Sequence, residues 1–296
     1  SGVKAMFENK KLAKELDQAG YQFSSANSIN IGRLVPQIVY YVYAYGKLLQ
    51  NGEIEEGEEI NVVVPTGNFG NILAAYYAKN MGLPIAKLIC ASNENKVLYD
   101  FFQTGTYDKN REFILTTSPS MDILISSNLE RLIYQIAGGD AKKDQELMND
   151  LKSKGVYAIT EEMKKNLADF EAGYATEEQV KQTIHDLYTD TGYVIDTHTA
   201  VAASVYNEYR KNTGDTTKTV IASTASPYKF ARSVMTAIDA SYDAMEEFEL
   251  IDELHKVSQM DIPNAIEEIR NAETRHTTEC ALEQMEGSVK AVRGVV

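Results

Sequence analysis

At 296 residues, with 44% hydrophobic and 24% charged side chains, the chain has an ordinary globular composition and is long enough to bury a sizeable core. Its formal net charge of −14 argues against nucleic acid and anionic membranes as partners, because both recruit basic surface. No apolar run is long enough to span a bilayer, and Ser1 to Lys14 reads as polar and helical rather than as a signal peptide. Cys90 and Cys280 lie far apart with no CxxC partner, so buried, reduced thiols in a cytoplasmic protein are expected.

In chain order, Phe7 to Ala19 has the pattern of an amphipathic helix closed by Gly20. The Ser24–Asn30 stretch reads as a loop, after which Leu34, Val35, Ile38, Val39 and Val42 keep a helical period. Pro36 falls early in that run, either in its first turn or at a kink. Tyrosines 40, 41, 43 and 45 face several directions, with core packing expected for most of them. Gly52 to Glu59 is an acidic turn. Ile60 to Val64 is a buried strand, a helix over 71–81 stops at Gly82 and Pro84, and Ile85 to Ala91 is a second strand. A strand–helix–strand unit of this length predicts parallel pairing with a right-handed crossover.

The middle reads as mostly helical. Asn128 to Ala137 ends at Gly138-Gly139, and Ala141 to Lys154 is a surface helix. Tyr157 to Thr160 has the look of a short strand, and Thr176 to Gln179 is a capping box opening a helix that runs to about Asp190. The 140–190 region therefore reads as a helical insertion. Thr197 is placed to cap the next helix, with Val201, Val205 and Tyr206 on its inner face. Lys218 to Ser223 is the last strand. From Tyr228 the pattern is helical to the end, with a break at Pro263.

The most informative stretch is Val62-Val63-Val64-Pro65-Thr66-Gly67-Asn68-Phe69-Gly70-Asn71. Strand, glycine loop and helix form the layout that turns backbone N–H groups toward an anion. Gly67 and Gly70 are free to take φ > 0 and admit a phosphate to the main chain, while Asn68 and Asn71 tolerate the left-handed region and add amide donors. The loop is neither a Walker A motif, which needs Gly-Lys-Ser/Thr, nor a GxGxxG motif. In a parallel sheet it lies beyond the carboxyl end of a strand, where ligands bind.

Four further segments accompany it: Ser24-Ser25-Ala26-Asn27-Ser28-Ile29-Asn30-Ile31-Gly32-Arg33, Ser118-Pro119-Ser120-Met121-Asp122, Thr197-His198-Thr199-Ala200 and Ser223-Thr224-Ala225-Ser226-Pro227-Tyr228-Lys229-Phe230. Together they resemble threonine synthase, a pyridoxal-phosphate enzyme family with the tryptophan-synthase-β fold, over nearly the whole chain. The resemblance implies an α/β fold of type II, a parallel-rich sheet flanked by helices. Residues 1–30 would be the tail of a smaller domain and 31–296 the large cofactor-binding domain.

It further implies pyridoxal 5′-phosphate as cofactor, with its phosphate on Gly67, Asn68, Phe69, Gly70 and Asn71. The Thr224 hydroxyl would face the pyridine nitrogen, with Ser223 as the neighbouring alternative. Ser28, Asn30 and Arg33, with Asn27 beside them, would hold the anionic groups of the substrate, O-phosphohomoserine, which is converted with water to threonine and phosphate. The family's Schiff-base lysine lies upstream of the first matching segment. The chain would then be a C-terminal portion, inactive alone, that self-associates or docks with its N-terminal half. Lys229 is assigned a helix start and a carboxylate partner rather than that chemistry, and His198 a structural place. Thr197 and Ser226 stand where the family tends to have proline and histidine. His185, His255 and His276 lack ligand spacing, so no metal site is expected. The rival readings are a serine/threonine dehydratase-like lyase, which has no substrate phosphate to bind, and a non-catalytic binder of phosphorylated ligands.

Overall fold

β1 (Ile60–Pro65) is buried along its whole length, as a β-branched run with sheet neighbours on both sides must be. This computed structural model describes Val3, Met6, Phe7, residues 9–275 and residues 277–294. The expectation for His276 concerns a residue outside that set. The described chain divides into two units, 28–267 and a smaller one made of 1–27 with 268–296.

In the larger unit, β2 (Ile85–Ser92) pairs with β1 in parallel, joined through the helix Gly70–Asn80. Of the remaining strands, β3 (Thr106–Asp108) and β4 (Val156–Ala158) form a separate antiparallel pair, with the Tyr107 and Tyr157 rings stacked at 5.4 Å. β5 (Phe170–Tyr174) and β6 (Thr219–Ile221) complete a four-stranded sheet in the order β5-β2-β1-β6, every pairing parallel. Side chains alternate between two cores. Val62, Val64, Leu88 and Cys90 face one, packed by the helices Ile38–Gln50, Gly70–Asn80 and Leu129–Ile136. Val63, Ile89 and Ala91 face the other, packed by Glu177–Thr191, Thr197–Thr213, Ala231–Ile238 and Glu247–Ser258. A period of two puts consecutive strand residues on opposite faces, so a sheet with helices on both sides needs apolar residues at every position.

Several expectations change. The 140–190 region contains β5, an edge strand that the short, mixed sequence Phe-Glu-Ala-Gly-Tyr hides. Gly173 is required there, since a Cβ would stand 2.6 Å from Val205 Cγ1. The expected strand at Tyr157 belongs to the small antiparallel pair, outside the main sheet. Pro36 sits in a 3₁₀ turn, Val35–Gln37, between the helices Ile31–Leu34 and Ile38–Gln50. Tyr41 and Tyr45 are core residues, but Tyr40 and Tyr43 are exposed. Asp196, not Thr197, caps the helix Thr197–Thr213, because its carboxylate accepts from the amides of His198 and Thr199. The Thr176 capping box forms as expected. The C-terminal region is interrupted: residues 271–275 and 277–281 are not helical. Cys90 is buried, but Cys280 is exposed.

The smaller unit holds the helices Lys10–Gln18 and Met285–Arg293. Lys290 bridges Glu15 at 2.5 Å and Glu286 at 3.1 Å, and Phe7 stacks on Phe23 with centroids 4.8 Å apart. Among the described residues no helix is long and apolar enough to cross a membrane.

Candidate active site

The chain leaves β1 toward β2 on one side, while β6 lies on its other side. The carboxyl ends of β1 and β6 therefore flank a topological switch point, the place where open parallel sheets bind ligands. The loop after β1 and residues 222–225 after β6 meet there. The loop, with Thr224 and Ala225, lines a cavity of about 240 Å³ together with Ser28, Gln37, Ser120, Met121, His198 and Lys229. A second cavity of about 620 Å³ shares Ser28, Gln37, Asn71 and Thr224 with the first and adds Arg33, Tyr40, Tyr41 and Ser223.

Gly67, Asn68, Phe69, Gly70 and Asn71 all line the first cavity. The left-handed residue of this loop is Phe69, with φ 63°, rather than either glycine. A non-glycine residue there costs about 1–2 kcal/mol. The Phe69 ring is buried, 6.1 Å from Phe102 and 6.0 Å from Phe170 between centroids, and this packing holds the turn. The glycines serve close approach instead. A Cβ at Gly67 would stand 2.6 Å from the Ser120 carbonyl oxygen, and one at Gly70 would stand 2.7 Å from Ser28 Cβ. The loop carbonyls are occupied: Ser126 Oγ donates to Gly67 O at 2.7 Å, and Asn128 donates to Asn68 O through N at 3.1 Å and Nδ2 at 2.8 Å. Among the described residues nothing accepts the N–H groups of Gly67, Asn68, Phe69 or Gly70. Buried or half-buried amides without an acceptor are costly, and N–H groups in this layout at a helix start are suited to an anion. The Asn71 side chain accepts from Tyr41 Oη, which orients its amide.

Across the cleft, Thr224 lines both cavities, and its hydroxyl has no partner among the described residues. Ser223 lines only the larger one, and its Oγ is hydrogen-bonded to Thr199 Oγ1 at 3.1 Å. Ser28 Oγ accepts from Gln37 Nε2 at 2.9 Å between the two cavities. Arg33 reaches the larger cavity and has no carboxylate partner among the described residues. Asn30 is separated from this group. Its Oδ1 accepts from Gly32 N at 3.0 Å, capping Ile31–Leu34, and it lines neither cavity. Asn27 falls in the smaller unit.

His198 is 2% exposed and lines the first cavity. Its Nε2 accepts from Ser120 N at 3.2 Å, and its Nδ1 lies 3.2 Å from Asp196 Oδ1. An amide can only donate, so the ring is neutral with its proton on Nδ1. Burial pushes the Asp196 carboxyl up, but hydrogen bonds from His198 and Thr199 outweigh it and hold the group below its ordinary value. Lys229 lies in a 3₁₀ turn, Pro227–Phe230, as a helix start. The carboxylate partner expected for it is absent among the described residues; its Nζ lies 5.5 Å from the Phe230 ring centroid and it lines the first cavity. Sequence reading missed Gln37 and Ser120 as cavity residues, and Asp196 as the partner of His198. Only Asp196 carried a signal, an acidic N-cap placed two and three residues before the amides it binds. Among the described residues no group of three or more His, Cys, Asp or Glu is arranged to hold a metal.

Comparison with known proteins agrees with this geometry. Residues 199–281 match the family model "Threonine synthase, C-terminal". The chain is 47% identical over 221 residues to human "Threonine synthase-like 1", covering 74% of this chain and 29% of that protein. The PLP-bound threonine synthase of Brucella melitensis matches in fold with a TM-score of 0.71 and 34% identity, covering 88% of this chain and 57% of that one. Yeast threonine synthase matches with a TM-score of 0.78 and 30% identity over 98% of this chain and 56% of its own. The chain thus spans about a third of the length of the threonine synthase-like relative and just over half of the two solved enzymes. With its helix-flanked parallel sheet and these matches, the chain belongs to the threonine synthase family.

Proposed function

We propose that the protein carrying this segment is a pyridoxal-phosphate lyase that converts O-phospho-L-homoserine and water to L-threonine and phosphate. The observation that supports the reading is the row of N–H groups at Gly67–Gly70, without an acceptor among the described residues, in a cavity that Thr224 also lines. The cleft fits the cofactor in two respects. The cradle at the start of the helix Gly70–Asn80 neutralises a phosphate through main-chain donors and the helix dipole, without a lysine. The Thr224 hydroxyl, which lines the same cavity, would donate to a ring nitrogen and leave it largely unprotonated, where an aspartate would hold a proton on it. When bound, the cofactor supplies the electron sink that α- and β-proton removal and γ-phosphate loss require.

The remaining roles follow from the second cavity. Arg33 offers a guanidinium with no internal partner, and Ser28 a hydroxyl on the wall between the two cavities. This suits a substrate bearing its own phosphate and an α-carboxylate next to the cofactor. Asn30 works one step back, capping the turn that carries Arg33. A dehydratase acting on serine or threonine has no use for a second anion site, so Arg33 is the discriminating residue. The test is the production of threonine and inorganic phosphate in equal amounts from O-phospho-L-homoserine. Deamination of serine or threonine with no phosphohomoserine turnover would replace this reading with the dehydratase one.

A further inference from the structure

The cleft has two ends, and one buried side chain touches the supports of both. Asp196 is 1% exposed and caps the helix Thr197–Thr213. Capping uses Oδ1 alone, which accepts from His198 N at 2.8 Å and Thr199 N at 3.3 Å. The carboxylate does more than this. Oδ1 also meets His198 Nδ1, and Oδ2 accepts from Thr199 Oγ1.

We propose that Asp196 is a positioning residue that sets both walls of the cleft from one carboxylate. One arm runs through His198 to Ser120 beside Gly67, the other through Thr199 to Ser223 beside Thr224. In the first arm, the carboxylate accepts a hydrogen bond from Nδ1–H, which keeps the proton on Nδ1 and leaves the Nε2 lone pair for Ser120 N, 3.2 Å away. The opposite tautomer would aim an N–H at an N–H. The Ser120 carbonyl oxygen lies where a Cβ on Gly67 would be only 2.6 Å off, so a shift of Ser120 opens or crowds the cradle directly. In the second arm, Thr199 Oγ1 is hydrogen-bonded to Ser223 Oγ at 3.1 Å, one residue before the hydroxyl that faces the ring end. Thr199 is 6% exposed, which shields its bond to Asp196 from solvent.

The inference rests on the cofactor reading and assigns each arm a different ligand dependence. Inorganic phosphate engages only the cradle end, while pyridoxal 5′-phosphate engages both. The experiment titrates the full chain and its variants with each ligand and records ¹⁵N shifts of the His198 ring. Asp196→Asn is expected to weaken inorganic phosphate about tenfold, the scale of one hydrogen bond to a charged group, and to abolish the fixed Nδ1–H tautomer. Thr199→Val is expected to weaken pyridoxal 5′-phosphate about tenfold and leave inorganic phosphate unchanged; Thr199→Ser restores the affinity. A folded Asp196→Asn chain with unaltered phosphate affinity and tautomer would overturn the proposal. If that variant does not fold, Thr199→Val decides: equal loss for both ligands, or none, overturns it. Failure of the cofactor reading looks different. There, wild-type binding is absent or survives Gly70→Val, whatever happens at Asp196.

Discussion

Gly70 packs directly against Ser28: a methyl group at Gly70 would stand 2.7 Å from Ser28 Cβ and 3.0 Å from its Oγ. The backbone at Gly70 is not left-handed, so the contact alone requires glycine. Gly70→Ala is expected to displace Ser28, cost about 1–3 kcal/mol of stability by overpacking, and weaken pyridoxal 5′-phosphate binding. Gly46→Ala makes the control. It lies exposed within Ile38–Gln50 with nothing within 4 Å of a Cβ, and should gain about 0.5–1 kcal/mol. Urea unfolding of both variants checks the opposite signs; a stable Gly70→Ala chain with full cofactor affinity would remove the steric argument.

In the full-length enzyme, Arg33→Ala should impair turnover of O-phospho-L-homoserine far more than cofactor binding. The loss expected of a charge-assisted pair is about 1.5–3 kcal/mol, roughly ten- to a hundredfold in kcat/KM. Arg33→Lys keeps the charge but not the fork and should recover only part of it. Steady-state kinetics beside a cofactor titration separates the two effects. Equal damage to cofactor affinity would move Arg33 from the substrate to the scaffold.

Asp144 carries a pH dependence. Burial, with Glu130 adding its charge, pushes its carboxyl up to about 6, and its Oδ1 has no hydrogen-bond partner. In the unfolded chain the group titrates near 4. Between these values the native state binds more protons than the unfolded one, so stability falls as pH rises through this window. The favourable contribution is complete below about pH 4 and gone above about pH 6. Asp144→Asn mimics the protonated side chain. Its Tm should exceed wild type at pH 8, and the gap should close toward pH 4. A gap independent of pH would trace the effect to packing instead of charge.

The sheet core was legible because β1 and β2 are continuous apolar runs, and the position of the loop between them because glycines and asparagines separate a strand from a helix. What stayed hidden depends on tertiary contact. β5 is an edge strand with a mixed sequence, recognisable only from its pairing with β2. The φ > 0 position fell on Phe69 rather than a glycine because aromatic packing from Phe102 and Phe170 outweighs the local steric cost. Nothing in the spacing of Asp196, Ser120 and Gly67 announces that they meet. Asn30 looked like Ser28 and Arg33 in sequence, yet its side chain is spent on a helix cap.

The two cysteines should differ sharply. Cys90 is fully buried in β2, and burial pushes its thiol up to about 12, whereas Cys280 is exposed. The thiolate is the nucleophile, so Cys90 should resist alkylation until the chain unfolds. Mass spectrometry after brief iodoacetamide treatment should find the label on Cys280 alone. Labelling of Cys90 at a comparable rate under native conditions would show that the sheet opens locally.

Among the described residues Lys229 is the only lysine lining the first cavity, and this makes it the residue to test for covalent attachment to the cofactor. We expect none of functional weight. Lys229 is exposed with its Nζ 5.5 Å from the Phe230 ring centroid, whereas an amine that attacks a carbonyl at neutral pH is normally desolvated or set beside another cation. Incubation of the full chain with pyridoxal 5′-phosphate, borohydride reduction and peptide mapping should give scattered surface labelling that inorganic phosphate does not suppress. Lys229→Ala should leave non-covalent cofactor affinity within about threefold, under 1 kcal/mol. Stoichiometric modification at Lys229, lost in Gly70→Val or on addition of phosphate, would instead make Lys229 the attachment point and rewrite the division of roles in the cleft.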